Sequence, residues 1–265
     1  MLAEERRIRI RDILSTQRTV TAAQLTDLLQ VTPATIRRDL TALEEEGILV
    51  RSHGGASSRT ASTRFQPPYD ALLRTNRAEK QAIARAAEKL ILDGDTIFLE
   101  GSTTVYEMAR HLGRRSRLTV VTNSPPILFL FQHSPGVTVI CTGGELQKEQ
   151  SYLSGMWTSR ALDEIRLDKA VLGITAIDVG YGMSTASHAE ADVKKRLIKA
   201  SRHRIALCDH SKFGRQNFAF VGPVTDLHAL VTDDATDTEI VSDVRKAGVE
   251  VIVARVTKGD GKNPD

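Results

Sequence analysis

The sequence predicts an α/β protein in two parts: a small helical head closed by a β-hairpin, then a larger domain built on a mostly parallel sheet. Three observations carry this expectation. Near the N-terminus, two segments repeat one helix-start pattern, Val20-Thr21-Ala22-Ala23-Gln24-Leu25 and Val31-Thr32-Pro33-Ala34-Thr35-Ile36. Residues 57–68 are then rich in Ser, Thr and Arg, show no periodicity and end in Pro67-Pro68. From about residue 76, apolar runs of strand length alternate with helical segments. Continuous apolar strands separated by helices imply a sheet covered on both faces.

Composition narrows the classes. The chain has 265 residues, enough for one large domain or two smaller ones, and is 41% hydrophobic but only 5% aromatic, so its core is aliphatic. A net charge of +3 does not by itself imply nucleic acid. The first 60 residues hold nine Arg, no Lys and eight Asp or Glu, so any DNA-binding charge there must come from local arrangement. Cys141 and Cys208 each end an apolar run and lack metal spacing. They read as buried free thiols in a reducing cytoplasm, with no metal and no cofactor implied. Arg6, Arg7, Arg9 and Arg11 interrupt the N-terminus, so no signal peptide is visible. No apolar run approaches the roughly 18 residues that span a bilayer.

In chain order, residues 4–16 form a helix with Ile10, Ile13 and Leu14 inward and the four arginines mostly outward. In the next helix Thr21 is the cap, Gln24 completes a capping box, and Leu25, Leu28 and Leu29 bury one side. In the third, Thr32 caps and Pro33 takes the first position, where a missing N–H costs nothing. Ile36, Leu40 and Leu43 recur at i, i+4, i+7 as a buried stripe. Ala34, Arg38 and Thr41 then lie opposite, with Thr35 and Arg37 on the flanks, a small cationic face suited to a DNA groove. Two tandem helices joined at Gln30-Val31 make a helix-turn-helix pattern, although any small helical hairpin with two solvated arginines would read alike. Gly47 ends the third helix. Ile48 to Ala56 suggests a hairpin turning at Gly54-Gly55, a wing from which Arg51 and His53 reach phosphate or the minor groove. A plain exit loop is the alternative for His53.

The larger part reads as a helix from Glu79 to Ile91, then strands at 96–99, 118–122, 137–142, 169–175, 205–208, 229–232 and 249–253. Helices fall at 104–112, 189–201 and 236–247. The expected division is a head over 1–57, a linker over 58–75, a ligand-binding domain over 76–257 and a polar, disordered tail over 258–265.

Ligands of such sheets bind at the carboxyl ends of the strands. There the sequence offers Glu100-Gly101-Ser102-Thr103-Thr104 leading into a helix, Thr122-Asn123-Ser124, Gly143-Gly144, and Asp209-His210-Ser211-Lys212. Small residues, hydroxyls, a helix start and a lysine suit a phosphate carried on a hydroxylated carbon chain. Thr103, Thr104 and Lys212 would clamp the phosphate from two sides. Each stretch alone is more often a turn; their shared position at strand ends raises the functional reading.

These blocks bring out a resemblance. Glu5-Arg6-Arg7 through Thr35-Ile36-Arg37-Arg38-Asp39-Leu40 to His53-Gly54-Gly55-Ala56 resembles the DeoR family of bacterial transcriptional regulators. Glu79-Lys80, Gly101 to Thr104, Val121 to Ser124, Gly143-Gly144, Ile177-Asp178 and Ser211 to Gly214 resemble that family's sugar-phosphate-sensing domain. The resemblance implies a winged helix-turn-helix, usually of a repressor of carbohydrate-metabolism genes, joined to a domain related to ribose-5-phosphate isomerase. It carries DNA contact to Thr35, Arg37 and Arg38, beside Thr32, Thr41, Arg51 and His53 from the helix face and wing. It carries effector contact to Gly101, Ser102, Thr103, Thr104, Asn123, Gly143, Gly144, Asp178 and Lys212. Glu190 and Lys194, one helical turn apart, are expected to face the same cleft. The implied partners are double-stranded operator DNA, a phosphorylated sugar and further copies of the chain, as a dimer or tetramer. One departure stands out: the family commonly has Asp-x-Gly-Thr-Thr after the first strand, where this chain has Glu100-Gly101-Ser102-Thr103-Thr104. An alternative is an isomerase-like enzyme with an accessory head, using Asp178 or Glu190 as base and Lys212 at an oxyanion. A ligand-free architectural DNA-binding protein is a third reading.

Overall fold

The computed structural model describes residues 2–16, 19–46, 48–52, 54–58 and 63–257. It divides into two compact units, Met1–Ala71 and Leu72–Asp265.

The first unit orders its elements as α1 (Ala3–Thr16), β1 (Thr19–Thr21), α2 (Ala22–Leu29), α3 (Pro33–Glu45), β2 (Leu49–Ser52) and β3 (Gly55–Ser58). The helix starts are the ones the side chains dictate. Gln24 N donates to Thr21 Oγ1 at 3.1 Å while Thr21 N donates to Gln24 Oε1 at 2.8 Å, a complete capping box. The chain leaves α2 through Gln30 in the left-handed conformation, and Thr32 then caps α3 with Pro33 in its first turn. Ile10, Leu14, Leu25, Leu29, Ile36, Leu40, Leu43 and Leu49 meet in one core. Two expectations need correction. Leu28 is exposed, because Leu25 and Leu29 already hold the inward stripe. Arg6 is buried, because it sits one turn before Ile10 on the inward face, and it pairs there with Asp39 of α3. β2 and β3 form the expected antiparallel hairpin, and β1 adds a third strand beside β3. Gly47 and His53 lie outside the described residues.

Residues 69–74, left in the linker by the sequence, form helix α4 (Tyr69–Arg74). The second unit continues with α5 (Arg77–Ala87), β4 (Thr96–Leu99), α6 (Thr103–Ala109), β5 (Leu118–Thr122), α7 (Pro125–Leu130), β6 (Val137–Cys141), β7 (Glu145–Gln147), β8 (Tyr152–Ser154) and α8 (Met156–Asp163). Then come β9 (Leu167–Gly173), β10 (Ala176–Asp178), β11 (Gly182–Thr185), α9 (His188–Ala200), β12 (Ser201–Leu207), β13 (Ala219–Gly222), β14 (Ala229–Asp233), α10 (Thr238–Lys246) and β15 (Glu250–Ala254). Seven strands form one sheet in the order β15-β14-β12-β9-β4-β5-β6, and every pairing in it is parallel. Ile83 of α5, Val105 and Met108 of α6 and Ile127 of α7 pack on one face. Leu162 of α8, Val193 and Leu197 of α9, and Val241 and Val244 of α10 pack on the other. A small antiparallel sheet β10-β11-β13 and a hairpin β7-β8 complete the unit.

This order fixes where a ligand can sit. From β4 the chain fills the sheet outward through β5 to β6, and from β9 it fills the other way through β12 and β14 to β15. The sheet therefore switches direction between β4 and β9, and in such sheets ligands bind at the carboxyl ends of the strands beside that switch. Glu100 follows β4 and Gly173 ends β9, so both stand at that switch point. Cys208 is buried as expected, but Cys141 is only half-buried, because β6 is an edge strand with one side uncovered; both are free thiols.

Candidate functional site

In the first unit, the outward face of α3 is built from its cap onward. Thr35 N donates to Thr32 Oγ1 at 3.3 Å, and the two hydroxyls lie 2.9 Å apart. Arg37 and Arg38 are exposed. Thr41 Oγ1 donates to Arg37 O at 2.9 Å and accepts from Arg51 Nη1 at 3.2 Å. Arg51 N donates to Glu44 Oε1 at 3.2 Å, so α3 and the β2–β3 hairpin are tied together. The inner side consumes the acidic charge. Asp39 takes Arg6 through Nε and, at 3.1 Å, Nη2, with Arg7 Nε 3.7 Å away. Glu46 takes Arg7 and Arg11. Three of the four arginines expected to face out are thus engaged in ion pairs, Arg9 stays exposed on α1, and Arg37, Arg38 and Arg51 stand exposed on α3 and the hairpin.

In the second unit, the loop after β4 is braced from below. Gly101 N donates to Asn123 Oδ1 at 3.0 Å, and Asn123 Nδ2 donates to Leu153 O at 2.9 Å. Leu153 N returns a bond to Asn123 O at 2.7 Å. Asn123 thus joins the loop, β5 and β8, and both ends of its amide are used. A Cβ on Gly101 would fall 2.6 Å from Tyr152 Cβ, so only glycine lets the loop pass β8. Ser102 Oγ accepts from Val105 N at 3.2 Å and caps α6; Thr103 and Thr104, nearly covered, open that helix. Gly143 (φ 70°) and Gly144 (φ 127°) turn the chain into β7. Gly143 O accepts from Thr158 Oγ1 at 2.7 Å, and a side chain on Gly144 would strike Thr158 and the Ser154 carbonyl. Gly144→Ala combines that clash with a backbone conformation unfavourable to L residues. We expect it to lower stability by about 1–3 kcal/mol in thermal unfolding; an unchanged melting point would show that the β7 turn tolerates a side chain.

Glu100, Glu190 and Lys194 come together at the switch point, all buried. Lys194 Nζ donates to Glu100 Oε1 and, at 2.6 Å, to Gly173 O, with Glu190 Oε1 3.3 Å away. Glu100 Oε2 accepts from Gly173 N at 2.7 Å. Glu190 accepts from Thr175 Oγ1 at 3.0 Å and from Thr185 Oγ1. Burial is the largest influence on both partners. It pushes the Glu100 carboxyl up, partly offset by Lys194. It opposes the charge on Lys194, but Glu100 and Glu190 outweigh it, and Lys194 holds its proton above its ordinary range. Asp178 is used locally: its Oδ1 accepts from Gly180 N at 3.0 Å and Tyr181 N at 2.8 Å, which closes the turn between β10 and β11.

A second charged group stands after β12. Asp209 Oδ1 accepts from Asn76 Nδ2 at 2.8 Å and from Ser211 N at 3.0 Å. Burial would raise Asp209, yet Lys212, Ser211, Lys80 and Asn76 hold it well below the usual carboxylate range. Lys80 of α5 is buried and donates through Nζ to Leu72 O. Burial, with the charge of Lys212 beside it, lowers its pKa to about 8. Two cations thus share one site, with Lys212 half-exposed. Sequence reasoning placed Lys80 only within a resembling motif, not among effector residues. The available signal was a lysine on the stripe Lys80, Ile83, Ala84, Ala87, where an apolar side chain belongs.

His210 adjoins this group. Its Nδ1 lies 2.9 Å from Asp233 Oδ1, and its backbone N donates to Asp233 Oδ2 at 2.7 Å. The Asp233 hydrogen bond raises the His210 pKa against the cost of burial. A raised folded-state pKa gives stability that is full below the unfolded value of about 6.5 and is lost as pH rises through the folded value. His210→Asn should therefore flatten the decline of melting temperature between pH 6 and 8; an identical slope in the variant would show that the pair contributes nothing.

Among the described residues no helix is long and apolar enough to cross a membrane, and no group of three or more His, Cys, Asp or Glu could hold a metal ion. Residues 6–62 match the DeoR-like helix-turn-helix domain, and residues 75–234 match the DeoR C-terminal sensor domain. The chain is 34% identical over 259 residues to the HTH-type transcriptional repressor GlcR of Bacillus subtilis (strain 168), covering 98% of this chain and 99% of that protein. It is 33% identical over 252 residues to the transcriptional repressor AccR of Agrobacterium fabrum (strain C58), covering 95% and 97%. It is 32% identical over 222 residues to the glycerol-3-phosphate regulon repressor of Escherichia coli (strain K12), covering 84% and 87%. Among solved structures, a D-ribose-5-phosphate isomerase in complex with phospho-erythronic acid matches with a TM-score of 0.38 and 20% identity, over 51% of this chain and 52% of that one. A likeness that faint carries no argument; the three relatives just named are repressors and match over most of their length. The head, the sensor and the matched relatives agree: this chain belongs to the DeoR family of helix-turn-helix transcriptional regulators.

Proposed function

We propose that this protein is a cytoplasmic repressor of carbohydrate-metabolism genes, in which the α3 face reads operator DNA and a phosphorylated sugar, bound at the switch point, changes operator affinity. The observation that carries the reading is the pairing of Lys80 and Lys212 after β12 with the Thr103-Thr104 helix start after β4. β4 and β12 flank β9, so their ends are about 10 Å apart, the span of a phosphate and a short carbon chain. The phosphate lies between the lysines and the threonine hydroxyls, and Gly101, Ser102, Asn123, Gly143 and Gly144 shape the loops around it. Glu190 faces the carbon chain, and Asp178 acts through its turn. The carboxylates an isomerase would need as a base are committed elsewhere: Glu190 to Thr175, Thr185 and Lys194, Asp178 to its turn. The protein acts as a homo-oligomer, because one α3 and one hairpin cover too small a footprint to select an operator.

The test is thermal unfolding across a panel of sugar phosphates, followed by an isomerase assay with every stabilising compound. Stabilisation without turnover supports the sensor; turnover would replace it with the enzyme reading. On the DNA side, Arg38→Ala should weaken operator binding by about 1–3 kcal/mol at fixed salt, the worth of a base contact, with little change in folding. Unchanged operator affinity would remove Arg38 from the recognition surface.

A further inference from the structure

We infer that Glu100 is a specificity-determining positioning residue: it locks Lys194 away from the effector, so the sensor accepts phosphates with an uncharged or cationic far end and rejects those with a second anionic group. The inference rests on the sensor reading above and deepens it by naming the ligand class.

The geometry is local to the phosphate loop. Glu100 immediately precedes Gly101 to Thr104, and its two oxygens face different partners. Oε2 accepts from Gly173 N at 2.7 Å, and Oε1 accepts from Lys194 Nζ. An ammonium has three N–H donors. Those of Lys194 are taken by Glu100, by Gly173 O at 2.6 Å and by Glu190 at 3.3 Å. A lysine so engaged has no donor for a ligand, although its place at the switch point would otherwise suit a second phosphate or a carboxylate. Gly173 completes the lock, since a side chain there would run into Ser102 and only a bare backbone can bond Glu100 and Lys194 together.

The charge balance works in the same direction. Two carboxyl groups and one ammonium are buried here, a formal net charge of −1 with both carboxyls counted as ionised. Burial, opposed by Lys194, pushes the Glu100 carboxyl up, while Glu100 and Glu190 hold the Lys194 ammonium protonated against burial. The remaining partners, Thr175 and Thr185, are neutral hydroxyls. A polyol or amino group meets acceptors and hydroxyls here. A carboxylate or second phosphate meets like charge in a covered site, where mismatch is costly. The two ends of the cleft therefore differ in sign, with Lys80 and Lys212 at one and this cluster at the other.

The test uses the full-length protein and matched phosphates in thermal unfolding. Neutral monophosphates of three, five and six carbons (glycerol 3-phosphate, ribose 5-phosphate, glucose 6-phosphate, fructose 6-phosphate) and glucosamine 6-phosphate are compared with 3-phosphoglycerate, 6-phosphogluconate and fructose 1,6-bisphosphate. The wild type should be stabilised by at least one neutral or amino compound, with apparent affinity at least about tenfold better than for its acidic counterpart. Glu100→Gln keeps the shape, removes one negative charge and frees Lys194 from one carboxylate; it should narrow that ratio by about tenfold. A purely structural role would weaken both members of a pair together and leave the ratio alone. Wild-type protein preferring the acidic members, or an unchanged ratio in Glu100→Gln, overturns the inference while the sensor reading stands. If Glu100→Gln fails to fold, the wild-type ratio and the same measurement on Glu190→Gln decide the matter. No stabilisation by any phosphate overturns the sensor reading and the inference with it.

Discussion

Lys212→Ala is expected to abolish the effector response of operator binding while leaving ligand-free operator affinity as it is in the wild type. The argument starts from charge. Lys212 and Lys80 both lie within electrostatic reach of Asp209, and the three carry a net positive charge once Asp209 is held ionised. Asp209 offsets only one of the two cations, and a phosphate would offset the other with charge-assisted bonds of about 1.5–3 kcal/mol each. Removing one such bond should weaken the effector by roughly 10- to 150-fold. Lys80→Met, which keeps the buried volume, should do the same. Because the Lys80 pKa lies near 8, effector affinity in the wild type should also fall as pH is raised from 7 to 9, a fall that Lys80→Met lacks. Operator binding followed by fluorescence anisotropy during an effector titration reads each variant. A Lys212→Ala protein responding at the wild-type effector concentration would remove Lys212 from the site. Loss of operator affinity without ligand would reassign Lys212 to folding or assembly.

Asp39→Ala should have the largest effect on the first unit. Asp39 is buried, accepts from Arg6 and lies 3.7 Å from Arg7, so its removal strands a buried guanidinium. Breaking a deeply buried pair costs about 3–5 kcal/mol; under the thin cover of a small helical head we expect about 2–3 kcal/mol. Operator affinity should fall with it, because α3 carries both Asp39 and the outward arginines. Replacing both partners by apolar residues, Arg6→Met with Asp39→Leu, should recover most of the lost stability, since a well-packed apolar pair needs no partner charge. Thermal unfolding of the two variants beside the wild type decides it. A single Asp39→Ala melting like the wild type would show that the ion pair adds nothing.

Much of this fold was legible because periodicity and capping are local. The stripe Ile36, Leu40, Leu43 and the caps Thr21 and Thr32 place α2 and α3 in the sequence and in the structure alike. The seven strands of the main sheet were legible as apolar runs, though β9 ends at Gly173 and not at Thr175, and α5 gives way to a short 3-10 turn after Ala87. Short elements carried no such signal. β7, β8, β10, β11 and β13 hold three or four residues each, too few for alternation to register. α7 has only six residues and opens on Pro125-Pro126, too short for a helical stripe to register. In the candidate site, residue types showed through and partners did not. Glu190 and Lys194 were visible as an i, i+4 pair, but their lock onto Glu100 joins residues 94 positions apart. That Asn123 also braces the loops was not legible, because its partners at Gly101 and Leu153 come from distant parts of the chain. Arg6 read as a surface charge because nothing local reveals Asp39 across the helix interface.

The central claim is that one chain couples a sugar phosphate at the β4–β9 switch point to operator affinity, and a single titration addresses it. Labelled operator DNA is held at fixed salt with the wild-type protein, and the sugar phosphate that most stabilises the protein against heat is added while anisotropy is recorded. The account predicts a change in operator affinity of about 5- to 150-fold, the usual range of coupling between two sites, that is absent in Lys212→Ala. Operator affinity that stays constant while the same compound demonstrably saturates the protein would contradict it.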